Sequence, residues 1–190
     1  MNLPNFLTIL RMALVPVFIV FYYLGQGGSR LMAALALAVF VIAAATDAID
    51  GHIARSRNMI TNFGKLMDPL ADKVLTTAAF ICFVAFGVIP AWVVIVIIAR
   101  EFLITGLRSV AADQGVVIAA GLSGKIKTVL QMLCVALILL DTAIGNGPAT
   151  HGLWVIVSGA GIICLYAAVV LTVWSGVEYV WKARHLLNLK

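Results

Sequence analysis

The sequence predicts an all-α fold: a polytopic membrane protein with six transmembrane helices and both termini in the cytoplasm. Three observations predict it. The 190 residues are 63% hydrophobic with a mean hydropathy of +1.11, and only 11% are charged. Soluble domains carry about 25% charged residues, so this much apolar surface belongs in lipid. The apolar residues gather into six stretches, each near the roughly 20 residues that cross a bilayer. The basic residues then divide by side. Arg11, Arg55, Arg57, Lys65, Lys73, Arg100, Arg108, Lys125, Lys127, Lys182, Arg184 and Lys190 fall on one side, and Arg30 alone on the other. Twelve against one puts both termini in the cytoplasm.

The first span covers about 3–24, with its opening turns in the interface. Arg11 interrupts its apolar stretch, so it reads as a retained helix and not as a cleavable signal. The second, about 31–54, carries Asp47 and Asp50 near its cytoplasmic end. The third, about 63–87, opens with Asp68 and Asp72. The fourth runs about 90–112, the fifth 122–141 and the sixth 151–181. Residues 25–30, 87–90 and 141–151 form the outer connections; 55–64, 112–123 and the termini lie on the cytoplasmic side. Several cations sit within helices near that side, which predicts a polar cavity open to the cytosol. The chain reads as one membrane domain over 1–190. A basic face on a soluble domain is absent, which excludes nucleic acid as a partner. Anionic lipid head groups and phosphorylated substrates suit these cations better. Cys82, Cys134 and Cys164 lie in apolar runs and read as small buried hydrophobes.

Asp47, Asp50, Asp68 and Asp72 are half of the chain's eight acidic residues. Each pair shares a helix face, at spacings of three and four. A short loop makes their helices neighbours, so the pairs converge. Carboxylates brought together in apolar surroundings repel unless cations bridge them. Oxygen-only ligands suit Mg²⁺, Mn²⁺ or Ca²⁺, and two such ions suit phosphoryl chemistry. Gly51 and Gly64 would admit a flat ligand or a close helix. Arg55 would neutralise a phosphate or snorkel.

The spacing D-x2-D-G-x2-A-R-x8-G-x3-D-x3-D is filled by Asp47, Asp50, Gly51, Ala54, Arg55, Gly64, Asp68 and Asp72. It resembles the signature of the CDP-alcohol phosphotransferase family without a departure. The resemblance implies a six-span, usually homodimeric membrane enzyme that moves a substituted phosphate from a CDP-linked donor to an alcohol and releases CMP. It implies that the four aspartates bind two divalent cations, Mg²⁺ or Mn²⁺. It also implies that Asp72 is the general base, and that Gly51, Ala54, Arg55 and Gly64 shape the CDP pocket.

Further pieces resemble the branch whose donor is CDP-diacylglycerol and whose acceptor is sn-glycerol 3-phosphate. They are Asn5, Thr8, Arg11 and Pro16; Ala99, Arg100 and Glu101; Arg108; and Gly124, Lys125, Lys127 and Thr128. A dianionic acceptor needs cations beyond those serving CDP. Arg100 and Arg108, two turns apart, share a helix face, and Lys125 and Lys127 begin the next helix on the same side. With Arg11 they are the expected acceptor-phosphate residues. The plainer alternative is a set of membrane-surface lysines with an Arg100–Glu101 pair. His52 receives no role, and Glu178 reads as an interfacial charge. The expected setting is the inner membrane of a bacterium, with the active site facing the cytoplasm. Other acceptors (inositol phosphate, serine, phosphatidylglycerol), a divalent-cation transporter and a non-catalytic scaffold stay open as alternatives.

Overall fold

The structure, a computed structural model, describes the backbone of residues 3–57, 62–113 and 121–184; the side chains of 3–5, 7, 47–57, 62–72 and 113 are outside the description. Among the described residues every regular element is a helix: α1 (Leu3–Gln26), α2 (Arg30–Arg57), α3 (Asn62–Ala85), α4 (Ala91–Asp113), α5 (Leu122–Ile144) and α6 (His151–Ala183).

All six expected helices form, and their ends are set by local chemistry. Gly28, Gly87 and Gly145 hold φ values of 94°, 68° and 63° in the α1–α2, α3–α4 and α5–α6 connections. This left-handed backbone suits glycine and stops a helix. At Gly145 the backbone N–H donates to the Asp141 carbonyl, closing α5 after Ile144. This corrects the expected fifth span, which stopped at 141. Asp141 belongs to α5, where it accepts a hydrogen bond from Ser158 of α6.

α1 packs on α2 and α3, α2 on α5, α5 on α6, and α6 on α4. The core is aromatic where α1, α2 and α3 meet. Phe18 lies 6.1 Å from Tyr22 and from Phe40, and Tyr22 lies 5.5 Å from Phe83. Val93, Val135, Leu139 and Leu165 continue it through α4, α5 and α6. α1 and α2 pack tightly at Gly25, where a Cβ would sit 2.8 Å from the Ala33 nitrogen. Tyr23 meets Phe86 at 4.8 Å, and the Arg30 guanidinium lies over Gly145 and Gly147. The α1–α2, α3–α4 and α5–α6 connections therefore share one end of the bundle.

Among the described residues three helices are long and apolar enough to cross a membrane: Thr8–Gln26 of α1, Leu122–Ile144 and His151–Ala183. The apolar parts of α2 and α3 are shorter, Arg30–Thr46 and Lys73–Ala85. α4 has the length, but Arg100, Glu101 and Arg108 interrupt it. α6 has 33 residues. At about 1.5 Å per residue it spans roughly 50 Å, well beyond a hydrocarbon core of about 30 Å. Its last turns lie at the end of the bundle opposite the α1–α2, α3–α4 and α5–α6 connections. Outward faces of α4 and α6 are apolar and open, with Phe102 73% and Ile163 71% exposed. Cys82 and Cys134 are buried as expected, Cys164 is only partly buried, and all three are free thiols.

Candidate functional site

At that end a cavity of about 670 Å³ opens between α4, α5 and α6, with Lys73 of α3 at its side. Helical periodicity builds its walls. From α4 come Arg100, Glu101, Ile104, Thr105 and Arg108, which repeat at intervals of three and four. From α6 come Ser175, Glu178, Tyr179 and Lys182, again one stripe. The first turns of α5 contribute Ser123, Gly124, Lys125, Lys127 and Thr128. α4 and α6 meet tightly at Gly176, where a Cβ would come 3.2 Å from the Arg100 Cγ. That contact lays the arginine stem against α6 and turns its head into the cavity.

Six cations and two carboxylates line this space: Lys73, Arg100, Arg108, Lys125, Lys127 and Lys182 against Glu101 and Glu178. The surplus is positive, so the cavity favours an anion. Glu101 is the hub. It pairs with Lys127, with Arg100 Nη1 at 3.2 Å and with Lys73 Nζ at 3.5 Å. Lys127 is only 2% exposed. Arg100 Nη2 also donates to Ser175 Oγ at 3.1 Å, and Lys73 Nζ donates to Thr105 Oγ1 at 2.5 Å. Glu178 accepts from Ser123 Oγ at 2.8 Å and from Lys182 Nζ at 2.5 Å, tying the start of α5 to the end of α6.

Arg108 and Lys125 differ from the other cavity cations. Both are exposed to the cavity. Among the described residues neither forms an ion pair. Arg108 Nε donates to Tyr179 Oη at 3.3 Å, and its guanidinium carbon stands 5.5 Å from that ring's centre. Tyr179 thus orients the arginine without neutralising it.

Four of the five expected acceptor residues, Arg100, Arg108, Lys125 and Lys127, line this one cavity. The Arg100–Glu101 pair forms as well, but inside the cavity and shared with two lysines. The fifth, Arg11, is buried on α1 one turn after buried Thr8 and is not among the cavity residues. Glu178, expected as an interfacial charge, lines the cavity instead because the α6 stripe turns it inward. Lys73 and Lys182 were not singled out in advance. Lys73 directly follows Asp72, and Lys182 sits one turn after Glu178, so both had a local signal. Ser175 and Tyr179 had none.

Asp47, Asp50, Gly51, Ala54 and Arg55 lie on α2, and Gly64, Asp68 and Asp72 on α3. Their side chains, and that of His52, are outside the described residues. Among the described residues no group of three or more His, Cys, Asp or Glu could hold a metal. The donor chemistry of the four aspartates is oxygen alone, on helical backbone at spacings of three and four. That set fits a hard divalent cation. Lys73, which lines the cavity, is the residue after Asp72 in the sequence.

A family model described as CDP-alcohol phosphatidyltransferase matches residues 1–174. A "CDP-diacylglycerol--glycerol-3-phosphate 3-phosphatidyltransferase" of Bacillus subtilis is 45% identical, over 98% of this chain and 99% of its own length. A protein of the same name from Sodalis glossinidius is 39% identical, over 97% of this chain and 96% of its own. A "Probable phosphatidylglycerophosphate synthase" of Mycobacterium tuberculosis is 38% identical, over 96% of this chain and 81% of its own.

Proposed function

The chain belongs to the CDP-alcohol phosphatidyltransferase family, and from that premise we propose that it is a phosphatidylglycerophosphate synthase. It transfers a phosphatidyl group from CDP-diacylglycerol to sn-glycerol 3-phosphate and releases CMP. The names of its relatives support the reaction. The observation that carries the acceptor is the cavity, which gathers Arg100, Arg108, Lys125 and Lys127 beside Lys73, the residue after Asp72. A donor alone would not need this second set of cations; an acceptor bearing a phosphomonoester would.

In this reading the acceptor phosphate lies among the cavity cations and its C1 hydroxyl points toward Asp72. Asp47, Asp50, Asp68 and Asp72 would hold two divalent cations, Mg²⁺ or Mn²⁺. When bound, these offset negative charge on the pyrophosphate and on departing CMP. Gly51, Ala54, Arg55 and Gly64 line the CDP pocket. Asp72 takes the hydroxyl proton as the new oxygen–phosphorus bond forms at the phosphatidyl phosphorus. The bond from that phosphorus to CMP breaks, and CMP carries away the electron pair. Arg11 is the remaining proposed acceptor-phosphate residue; it is buried on α1 and does not line the cavity.

The single domain spans the membrane six times with both termini and the cavity in the cytoplasm, in the inner membrane of a bacterium. Charge asymmetry supports that orientation. The open apolar faces are covered by lipid and by a second copy in a homodimer. The test is direct. Purified protein receives CDP-diacylglycerol, Mg²⁺ and labelled glycerol 3-phosphate, with inositol phosphate, serine and phosphatidylglycerol in parallel. A lipid carrying a phosphomonoester, formed one-for-one with CMP, is expected from glycerol 3-phosphate alone. CMP release with another acceptor and none with glycerol 3-phosphate would overturn the assignment.

A further inference from the structure

We propose that Glu101 is a positioning residue that sorts the cavity cations into a structural half and an anion-binding half. The proposal rests on the acceptor reading above. Three cations from three helices converge on this one carboxylate: Lys73 of α3, Arg100 of α4 and Lys127 of α5. Without a shared counter-ion, cations this close repel one another. Lys127 is 2% exposed, so water cannot replace its partner. A lysine ammonium on its flexible stem has no fixed place unless something pins it, and here Glu101 is the pin.

The same carboxylate repels a phosphate. An anion approaching Lys127 or Arg100 meets the negative charge of Glu101 beside them. One approaching Arg108 and Lys125 meets no carboxylate paired with either among the described residues; the other cavity carboxylate, Glu178, is held by Lys182 and Ser123. Glu101 therefore fixes the floor of the cavity and directs the acceptor phosphate to the Arg108–Lys125 side. Lys127 is a wall residue and not a phosphate ligand.

Three variants of the full-length protein test this: Glu101→Gln, Glu101→Asp and the double variant Glu101→Gln with Lys127→Gln. The readouts are KM for each substrate, kcat and thermal unfolding in detergent. Glu101→Gln strands a buried ammonium and is expected to raise KM for glycerol 3-phosphate by about tenfold or more. KM for CDP-diacylglycerol should move less than about twofold, because the donor side is untouched. Glu101→Asp keeps the charge and should recover part of the loss. The double variant removes both charges and should return KM for glycerol 3-phosphate to within about threefold of wild type. An unchanged or lowered KM for glycerol 3-phosphate in Glu101→Gln overturns the proposal. So does an equal rise in both KM values with lower thermal stability, which is the mark of a purely structural residue. If Glu101→Gln does not fold, the double variant decides, and a tenfold rise there makes Lys127 a phosphate ligand after all. Wild-type protein that releases CMP only with another acceptor overturns the acceptor reading alone, and the variants are then scored on that acceptor by the same criteria.

Discussion

Replacing Arg108 with glutamine removes one cation from the cavity without stranding a partner, because its described contacts are the hydroxyl and ring of Tyr179. The cost can be worked from that setting. A hydrogen bond to a charged group contributes about 1.5–3 kcal/mol, and about 1.4 kcal/mol is a factor of ten. Arg108 is exposed, so solvent competes and the lower end applies. The expected rise in KM for glycerol 3-phosphate is about tenfold, with KM for CDP-diacylglycerol within about twofold. Tyr179→Phe keeps the ring but loses the acceptor of a 3.3 Å hydrogen bond. That bond is neutral on one side and long, so about twofold is expected. Arg108→Lys restores charge without the planar fork that Tyr179 orients, and should fall between wild type and Arg108→Gln. Initial rates of CMP release at varied acceptor and saturating donor measure all three. An unchanged KM for glycerol 3-phosphate in Arg108→Gln, or an equal rise for both substrates, would refute the placement of the phosphate.

Asp72→Asn should lower CMP release by about 10²–10⁴-fold even with Mg²⁺ in excess, as expected for a lost general base. Activity near wild type would remove Asp72 from that role. Gly25→Ala puts a methyl 2.8 Å from the Ala33 backbone nitrogen. It should cost about 1–3 kcal/mol of stability, read as a lower unfolding temperature in detergent. Gly106→Ala, with nothing within 4 Å of the new methyl, is its neutral control. Cysteine at Ser109, exposed near the cavity end of α4, should react with an impermeant maleimide only after cells are opened. Cysteine at Ser29, in the turn between α1 and α2, should react in intact cells. The reverse pattern would invert the proposed orientation.

Much of the fold was legible in the sequence because a membrane helix is a local object. Apolar stretches between turns form helices wherever they lie, so all six helices appear within a few residues of expectation, and among the described residues three of them are long and apolar enough to cross a membrane. The aspartate spacing and the shared face of Arg100 and Arg108 are equally local, since helical period alone sets them. Where α5 ends was not legible. Asp141 looked like a loop residue until Ser158 of α6 supplied its partner, and a polar side chain is tolerated in a helix only when such a partner exists.

Which residues meet across helices depends on interaxial distance and on each helix's rotation, and neither is written in a spacing. Only the packed bundle brings Lys73, Arg100 and Lys127 onto Glu101, although these residues lie on three separate helices. Only the bundle makes Glu178 a tie between α5 and α6, and only it shows which of the expected residues line one cavity. The sequence determined that this chain carries a cation set and a carboxylate set at one end of a membrane bundle. The tertiary structure decided which cations are held by a carboxylate and which stay open to an anion, because charges pair through space and not along the chain.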